Sequence, residues 1–137
     1  MKVVIDTNVF VSSFFGGNPR KIIDLWKQEK ISLCLSKEIL DEYVDVLNRL
    51  GGADEALLKE LLSLFATGFN LHFIGKTPSL HVVKNDPDDD KFIECAVALK
   101  AQVIITGDRA LRSVGAYMDI RIVTPDQFLK DYRKGGS

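Results

Sequence analysis

The stretch VVIDTNVF, residues 3–10, runs three β-branched apolar residues directly into a carboxylate. Val3, Val4 and Ile5 carry no polar alternation, the pattern of a short strand buried on both faces. Asp6 stands where that strand ends, and Thr7 and Asn8 follow before apolar residues resume. An acid in this place has two readings. It starts a turn by bonding its own backbone, as Asp and Asn commonly do, or the strand is short because it holds a carboxylate at the working edge of a sheet.

Outward from that strand the apolar pattern alternates in type. Ile22, Ile23, Leu25 and Trp26, behind Pro19, predict a helix over about 19–29, and ISLCL (31–35) reads as a strand. Ser36 caps a helix running to about Arg49, Gly51-Gly52 breaks it, and ADEALLKELLSLFAT (53–67) is a second amphipathic helix. NLHFI (70–74) is a third strand, followed by a polar loop through Lys84 and a helix over about 87–100. AQVIIT (101–106) and DIRIV (119–123) complete five strands, with short helices predicted in DRALRSV (108–114) and PDQFLKDYRK (125–134). Strands alternating with helices imply right-handed crossovers and a parallel sheet covered on both faces. The expected architecture is therefore three-layer α/β/α, one domain over residues 1–133 with a frayed tail at 134–137.

Bulk properties narrow the function. A chain of 137 residues is long enough for one domain with a sizeable core. Its 46% apolar and 27% charged content is ordinary for a soluble globular protein, and no apolar run approaches the ~20 residues of a membrane span. The net charge of −1 gives no global basic field, so a nucleic-acid role needs a local basic patch or metal ions. Cys34 and Cys95 lack metal-type spacing and read as two reduced, buried thiols of a cytoplasmic protein.

The acids carry the chemistry. In an open α/β sheet, ligands bind beyond the carboxyl ends of the strands. Asp6 ends the first strand, and Asp108 follows the fourth in IITGDRAL (104–111). In NDPDDDKFIECA (85–96), Asp86 suits an N-cap, Pro87 the first helical position, and Asp88 and Asp89 the positive helix end. Asp90 is left over beside the apolar face. In SKEILDEYVDVL (36–47), Asp45 points away from the apolar stripe while Asp41 and Glu42 flank it, and periodicity does not choose between those two. Helix capping or simple exposure explains each acid singly. Neither explains why several converge on one edge, where two carboxylates ~4 Å apart repel by about 4 kcal/mol at an effective dielectric of ~20. Divalent cations would remove that cost. Hard oxygen donors without His or Cys point to Mg²⁺ or Mn²⁺, one or two ions, and His72 and His81 are poorly placed as general bases.

VVIDTNVFVSS, LSKEILDEYVDVL, DPDDDKFIECAVALKAQVIITGD and IRIVTPDQFL, in that order, resemble a PIN domain, and more closely the VapC-like toxin components of toxin–antitoxin systems. The resemblance spans essentially the whole chain. It implies a metal-dependent ribonuclease on a parallel five-stranded sheet, with Asp6, Glu42, Asp90 and Asp108 as catalytic, metal-binding acids. It favours Glu42 over Asp41 and implies supporting roles for Asn8 and Thr106, with Glu94 as an additional acid. It further implies an RNA substrate, a cognate antitoxin and a homodimer. Hydrolysis by a metal-activated water would leave a 5′-phosphate and a 3′-hydroxyl. Arg109, Arg112 and Lys91 lie where they could meet RNA phosphates, and read equally well as solvated surface cations.

Other classes fit less well. A receiver-like phosphoacceptor domain needs an Asp after the third strand, where NLHFIGKT has none, and a Lys after the fifth, where VTPDQ stands. A haloacid-dehalogenase-type phosphatase needs an acid at position 8, which is Asn. A non-catalytic RNA-binding or interaction module on the same fold is the alternative that only a cleavage assay separates.

Overall fold

Six strands form one sheet: β1 (Lys2–Ile5), β2 (Ser32–Ser36), β3 (Leu71–Ile74), β4 (Val103–Ile105), β5 (Ala116–Tyr117) and β6 (Ile120–Val123). The structure is a computed structural model and describes residues 1–50 and 55–135. The helices of the described residues are α1 (Thr7–Ser12), α2 (Gly17–Lys27), α3 (Lys37–Leu50), α4 (Glu55–Thr67), α5 (Asp90–Leu99), α6 (Arg109–Arg112) and α7 (Pro125–Gly135). Single 3₁₀ turns cover Ser13–Phe15 and Pro87–Asp89.

The strand order is β3-β2-β1-β4-β6-β5, parallel except for the last pair. From β1 the chain steps outward to β2 and β3, then returns through α5 to β4 on the other side of β1. The direction of winding therefore reverses between β1 and β4, which is where such sheets open a crevice at their carboxyl ends. Register fixes the crevice. Ile5 pairs with Ile105, and the Asp6 amide donates to the Ile105 carbonyl at 3.0 Å. Asp6 and Thr106 thus leave the sheet side by side.

Helices cover both faces of this three-layer α/β/α domain, as the full burial of Val3, Val4 and Ile5 requires of a strand whose side chains alternate. α5 packs along β1, β2, β3 and β4. Phe10 of α1 stacks on Tyr43 of α3 at 4.0 Å and 4°, with Phe14 edge-on to it and Phe65 of α4 bridging to Trp26 of α2. The Tyr43 hydroxyl donates to the Ile5 carbonyl, pinning α3 to the end of β1. Cys34 and Cys95 are buried and unpaired, and burial pushes their thiols up to about 11 and about 12.

Three features depart from expectation. The sheet has six strands, not five, because residues 116–123 fold into a small hairpin: Tyr117 pairs with Ile120, leaving Met118-Asp119 as a two-residue turn. Met118 adopts φ +54° there, a conformation usually signalled by Gly or Asn. Residues 7–12, where apolar residues resume, coil into α1 because the Asp6 side chain caps that helix. α7 runs on to Gly135, so residues 134 and 135 are helical. The Gly51-Gly52 break and residues 136–137 lie outside the described residues.

Candidate active site

Asp6 is only 3% exposed, and both of its oxygens are engaged. Oδ1 accepts from the Val9 amide at 2.8 Å, and Oδ2 accepts from the Thr106 hydroxyl. Burial nevertheless dominates and pushes its carboxyl up to about 6, with the charges of Asp108 and Glu42 adding to the rise. Thr106, fully buried, also accepts the Asp108 amide at 2.9 Å, so one hydroxyl fixes Asp6 and the backbone that carries Asp108. Asp108 caps α6 by accepting from the Leu111 amide at 3.0 Å.

Glu42 reaches the same crevice from α3. Its Oε1 accepts from the Thr7 hydroxyl, and its Oε2 pairs with Lys91 Nζ at 2.5 Å. Lys91 also pairs with Asp88 at 3.2 Å and is largely withdrawn from solvent. Asp45 and Arg49, paired at 3.2 Å, lie at the outer rim.

The fourth acid is where structure and expectation part. Asp90 does not line the crevice: its Oδ1 accepts the Val82 and Val83 amides at 3.0 and 2.8 Å. Glu94, one turn later, accepts the Leu80 amide at 2.8 Å and is likewise absent from the crevice. Asp86 and Asp89 take the place expected for Asp90. Carboxylate oxygens of Asp86, Asp89 and Asp108 all lie within 4.8 Å of one another. The reason is local. Residues 87–89 form a 3₁₀ turn rather than α-helix, and in a 3₁₀ turn positions three apart eclipse, which puts Asp86 and Asp89 on one side. Asp86 caps this turn as expected, accepting from the Asp88 amide at 3.2 Å.

The result is a cleft of about 300 Å³ lined by Asp6, Glu42, Asp86, Asp89 and Asp108, with Thr7, Asn8 and Phe92 among its walls. Asn8 is exposed at the rim, and the bonds that orient Asp6 come from Val9 and Thr106. Burial pushes the Asp89 carboxyl up to about 8, reinforced by a hydrogen bond to Asp108 and by the charges of Asp108, Asp86 and Asp6. That bond, together with the Leu111 amide, holds Asp108 below its usual value. With both groups ionised neither has a proton to give, and Asp89 Oδ2 is then fully buried without a hydrogen-bond partner. Something positive must sit there, either a proton or a cation. An all-oxygen donor set fits a hard divalent ion. His72 instead pairs with Ser32 in the sheet, and His81 lines a different cleft beside Asp90.

A crevice lined by one buried carboxylate, Asp6, and the half-buried Glu42, Asp86, Asp89 and Asp108 thus opens at the switch point of a three-layer α/β/α sheet, where such sheets bind ligands. A family model for the PIN domain matches residues 2–110, so the chain belongs to the PIN domain family, whose members are generally nucleases and generally use divalent metal. The chain is also similar to the "Uncharacterized protein MJ1680" of Methanocaldococcus jannaschii, 35% identical over 149 aligned positions that cover 98% of this chain and 93% of the relative. No helix among the described residues is long and apolar enough to cross a membrane.

Proposed function

We propose that the protein is a divalent-metal-dependent endoribonuclease and the toxin of a toxin–antitoxin pair. The observation that carries the nuclease reading is Asp89 Oδ2, buried without a donor beside Asp86 and Asp108. Asp86, Asp89 and Asp108 would hold a Mg²⁺ or Mn²⁺ ion, with Asp6 and Glu42 completing the wall of the cleft. When bound, the metal supplies Lewis acidity and a water of lowered pKa. The chain's own residues do the positioning. Thr106 and the Val9 amide keep Asp6 in one rotamer, Thr7 and Lys91 hold Glu42 from opposite sides, and the apolar frame of β1 and β4 keeps water from behind the carboxylates. Pre-set ligands of this kind lose little freedom when metal and phosphate arrive.

The toxin role, a cognate antitoxin and a homodimer belong to the same proposal and rest on the sequence resemblance. The test is cleavage of a labelled, structured RNA in Mn²⁺, in Mg²⁺ and in EDTA, by wild type and by Asp6→Asn. Cutting that needs metal and vanishes in the variant supports the nuclease. RNA retention without cutting under either metal supports the non-catalytic module instead. Growth arrest on expression of wild type, absent with Asp6→Asn, tests the toxin role.

A further inference from the structure

Residues 75–86 connect β3 to the acidic turn and contain neither helix nor strand. Of the side chains from 75 to 89, Val83 alone is buried. Leu80 and Val82 pack partly against the core beside it, but that apolar anchorage ends at Val83, short of the acidic turn. Yet the segment must deliver Asp86 and Asp89 to within 4.8 Å of Asp108, against mutual repulsion. Besides that packing, two carboxylates from α5 grip its backbone: Asp90, on the Val82 and Val83 amides, and Glu94, on the Leu80 amide.

We propose that Asp90 is a positioning residue, whose grip on the Val82 and Val83 amides sets the turn that carries Asp86 and Asp89 into the cleft. Its functional meaning rests on the metal-nuclease reading above, whereas the clamp itself does not. The connection runs through the backbone. Val83 is clamped through its amide and its carbonyl accepts the Asp86 amide at 3.3 Å, while the Asp86 carbonyl accepts the Asp89 amide at 3.0 Å. Asp90 thus fixes the first link of a two-link chain that ends at the metal-binding acids. Asp90 is 6% exposed, and charge-assisted bonds of this kind are about twice as strong as neutral ones. Glu94 repeats the device one turn along α5 and steadies the approach at Leu80.

A ligand needs its negative charge, whereas a clamp needs only an acceptor. Asp90→Asn keeps one side-chain oxygen for both amides and removes the charge, while Asp90→Ala removes both. The experiment compares these two with Asp89→Asn in amide hydrogen exchange without metal and in titration with Mn²⁺ alone. Asp90→Asn is expected to keep protection at Val82, Val83, Asp86 and Asp89 and to bind Mn²⁺ within about threefold of wild type. Asp90→Ala is expected to lose that protection and about tenfold or more in Mn²⁺ affinity, the usual scale for removing a group that orients ligands. Asp89→Asn should lose the affinity but keep the protection at Val82 and Val83. Should Asp90→Ala not fold, Glu94→Ala loosens the same segment at Leu80 and is expected to lower protection there first.

The proposal is overturned if Asp90→Asn loses Mn²⁺ as completely as Asp89→Asn does, since the charge of Asp90 is then what matters. It is equally overturned if Asp90→Ala, or Glu94→Ala at Leu80, leaves exchange unchanged. Failure of wild type to bind Mn²⁺ or to cut RNA would remove the metal-nuclease reading, and the exchange pattern would still decide whether the clamp exists.

Discussion

Asp6→Asn is expected to inactivate the protein and to make it more stable. In the folded chain the Asp6 carboxyl titrates near 6, against 3.8 for an unperturbed group, and the cause is burial. The folded state therefore holds its proton more tightly than the unfolded state does. Stability falls as pH rises from about 4 to about 6 and stays lower above that. At ~1.36 kcal/mol per pH unit, the ionised carboxylate costs about 3 kcal/mol at pH 7.5. Asn removes that cost but keeps only one acceptor, so the Val9 amide or the Thr106 hydroxyl loses its present partner, at about 1 kcal/mol. The net gain is about 2 kcal/mol, or roughly 7 °C in Tm for a chain of this length. Thermal unfolding in EDTA at pH 7.5 and at pH 5 measures it. The advantage should shrink steadily toward pH 5 as wild-type Asp6 takes up its proton. A variant destabilised equally at both pH values would refute the idea that Asp6 is held against a desolvation penalty.

Four further outcomes follow from the same geometry. Mn²⁺ must displace the proton of Asp89, which titrates near 8, so apparent affinity should rise by up to about tenfold per unit from pH 6 to 8; calorimetric titration at three pH values would show a flat profile if the pair held no proton. Lys91→Ala strands Glu42 in a half-buried place and should cost about 1–3 kcal/mol in denaturant unfolding, less than a fully buried pair because Glu42 keeps some solvent, and it should slow cleavage. Tyr43→Phe keeps the stack on Phe10 but leaves the Ile5 carbonyl without its donor; a loss of about 1–2 kcal/mol is expected, read as a Tm lower by about 3–7 °C. RNA binding itself, and not only cleavage, should weaken in EDTA when followed by fluorescence anisotropy, because Lys91 and Arg49 are already paired with Glu42 and Asp45 and leave the cleft net negative.

The parts of this fold that could be read in advance are those where one physical signal dominates. Unbroken β-branched runs gave β1 and β4, and the alternation of strands with amphipathic helices gave the parallel, two-faced sheet. That Asp6 and Asp108 line the crevice was legible because a strand end fixes where its next residue goes. Glu42 was not, since Asp41 and Glu42 flank the stripe of α3 symmetrically and only the family resemblance separated them. Which acids of the Asp86–Asp90 run reach the crevice was illegible for a different reason. Its acids alternate between capping, crevice and clamp, and the assignment depends on whether residues 87–89 wind with 3.0 or 3.6 residues per turn. Asp90 reads as the odd acid out only if an α-helix runs from Pro87 onward, whereas residues 87–89 form a 3₁₀ turn. The clamp was invisible too, since it needs the loop at 80–83 to return over α5, and no local pattern encodes that return.

The same frustration that hid the site also identifies it. Elsewhere, within the described residues, buried polar groups are answered: Ser13 donates to Phe10, Ser36 accepts from Ile39, and Asp90 and Glu94 are satisfied by amides. Only in the crevice, among the described residues, do neighbouring carboxylates push Asp6 and Asp89 upward while Asp108 is held down, and leave an oxygen without a donor. Conflicts of this kind, left standing where the other buried acids are satisfied, are expected at functional sites, and here a proton or a bound cation resolves it. On the metal-nuclease proposal that occupant is a hard cation small enough to sit among oxygens that lie within 4.8 Å of one another. With Asp6, Glu42, Asp86, Asp89 and Asp108 around it, a phosphate group would meet repulsion in this cleft until a cation offset those charges. On this electrostatic ground the proposal expects metal binding to precede RNA recognition rather than merely to assist the cut.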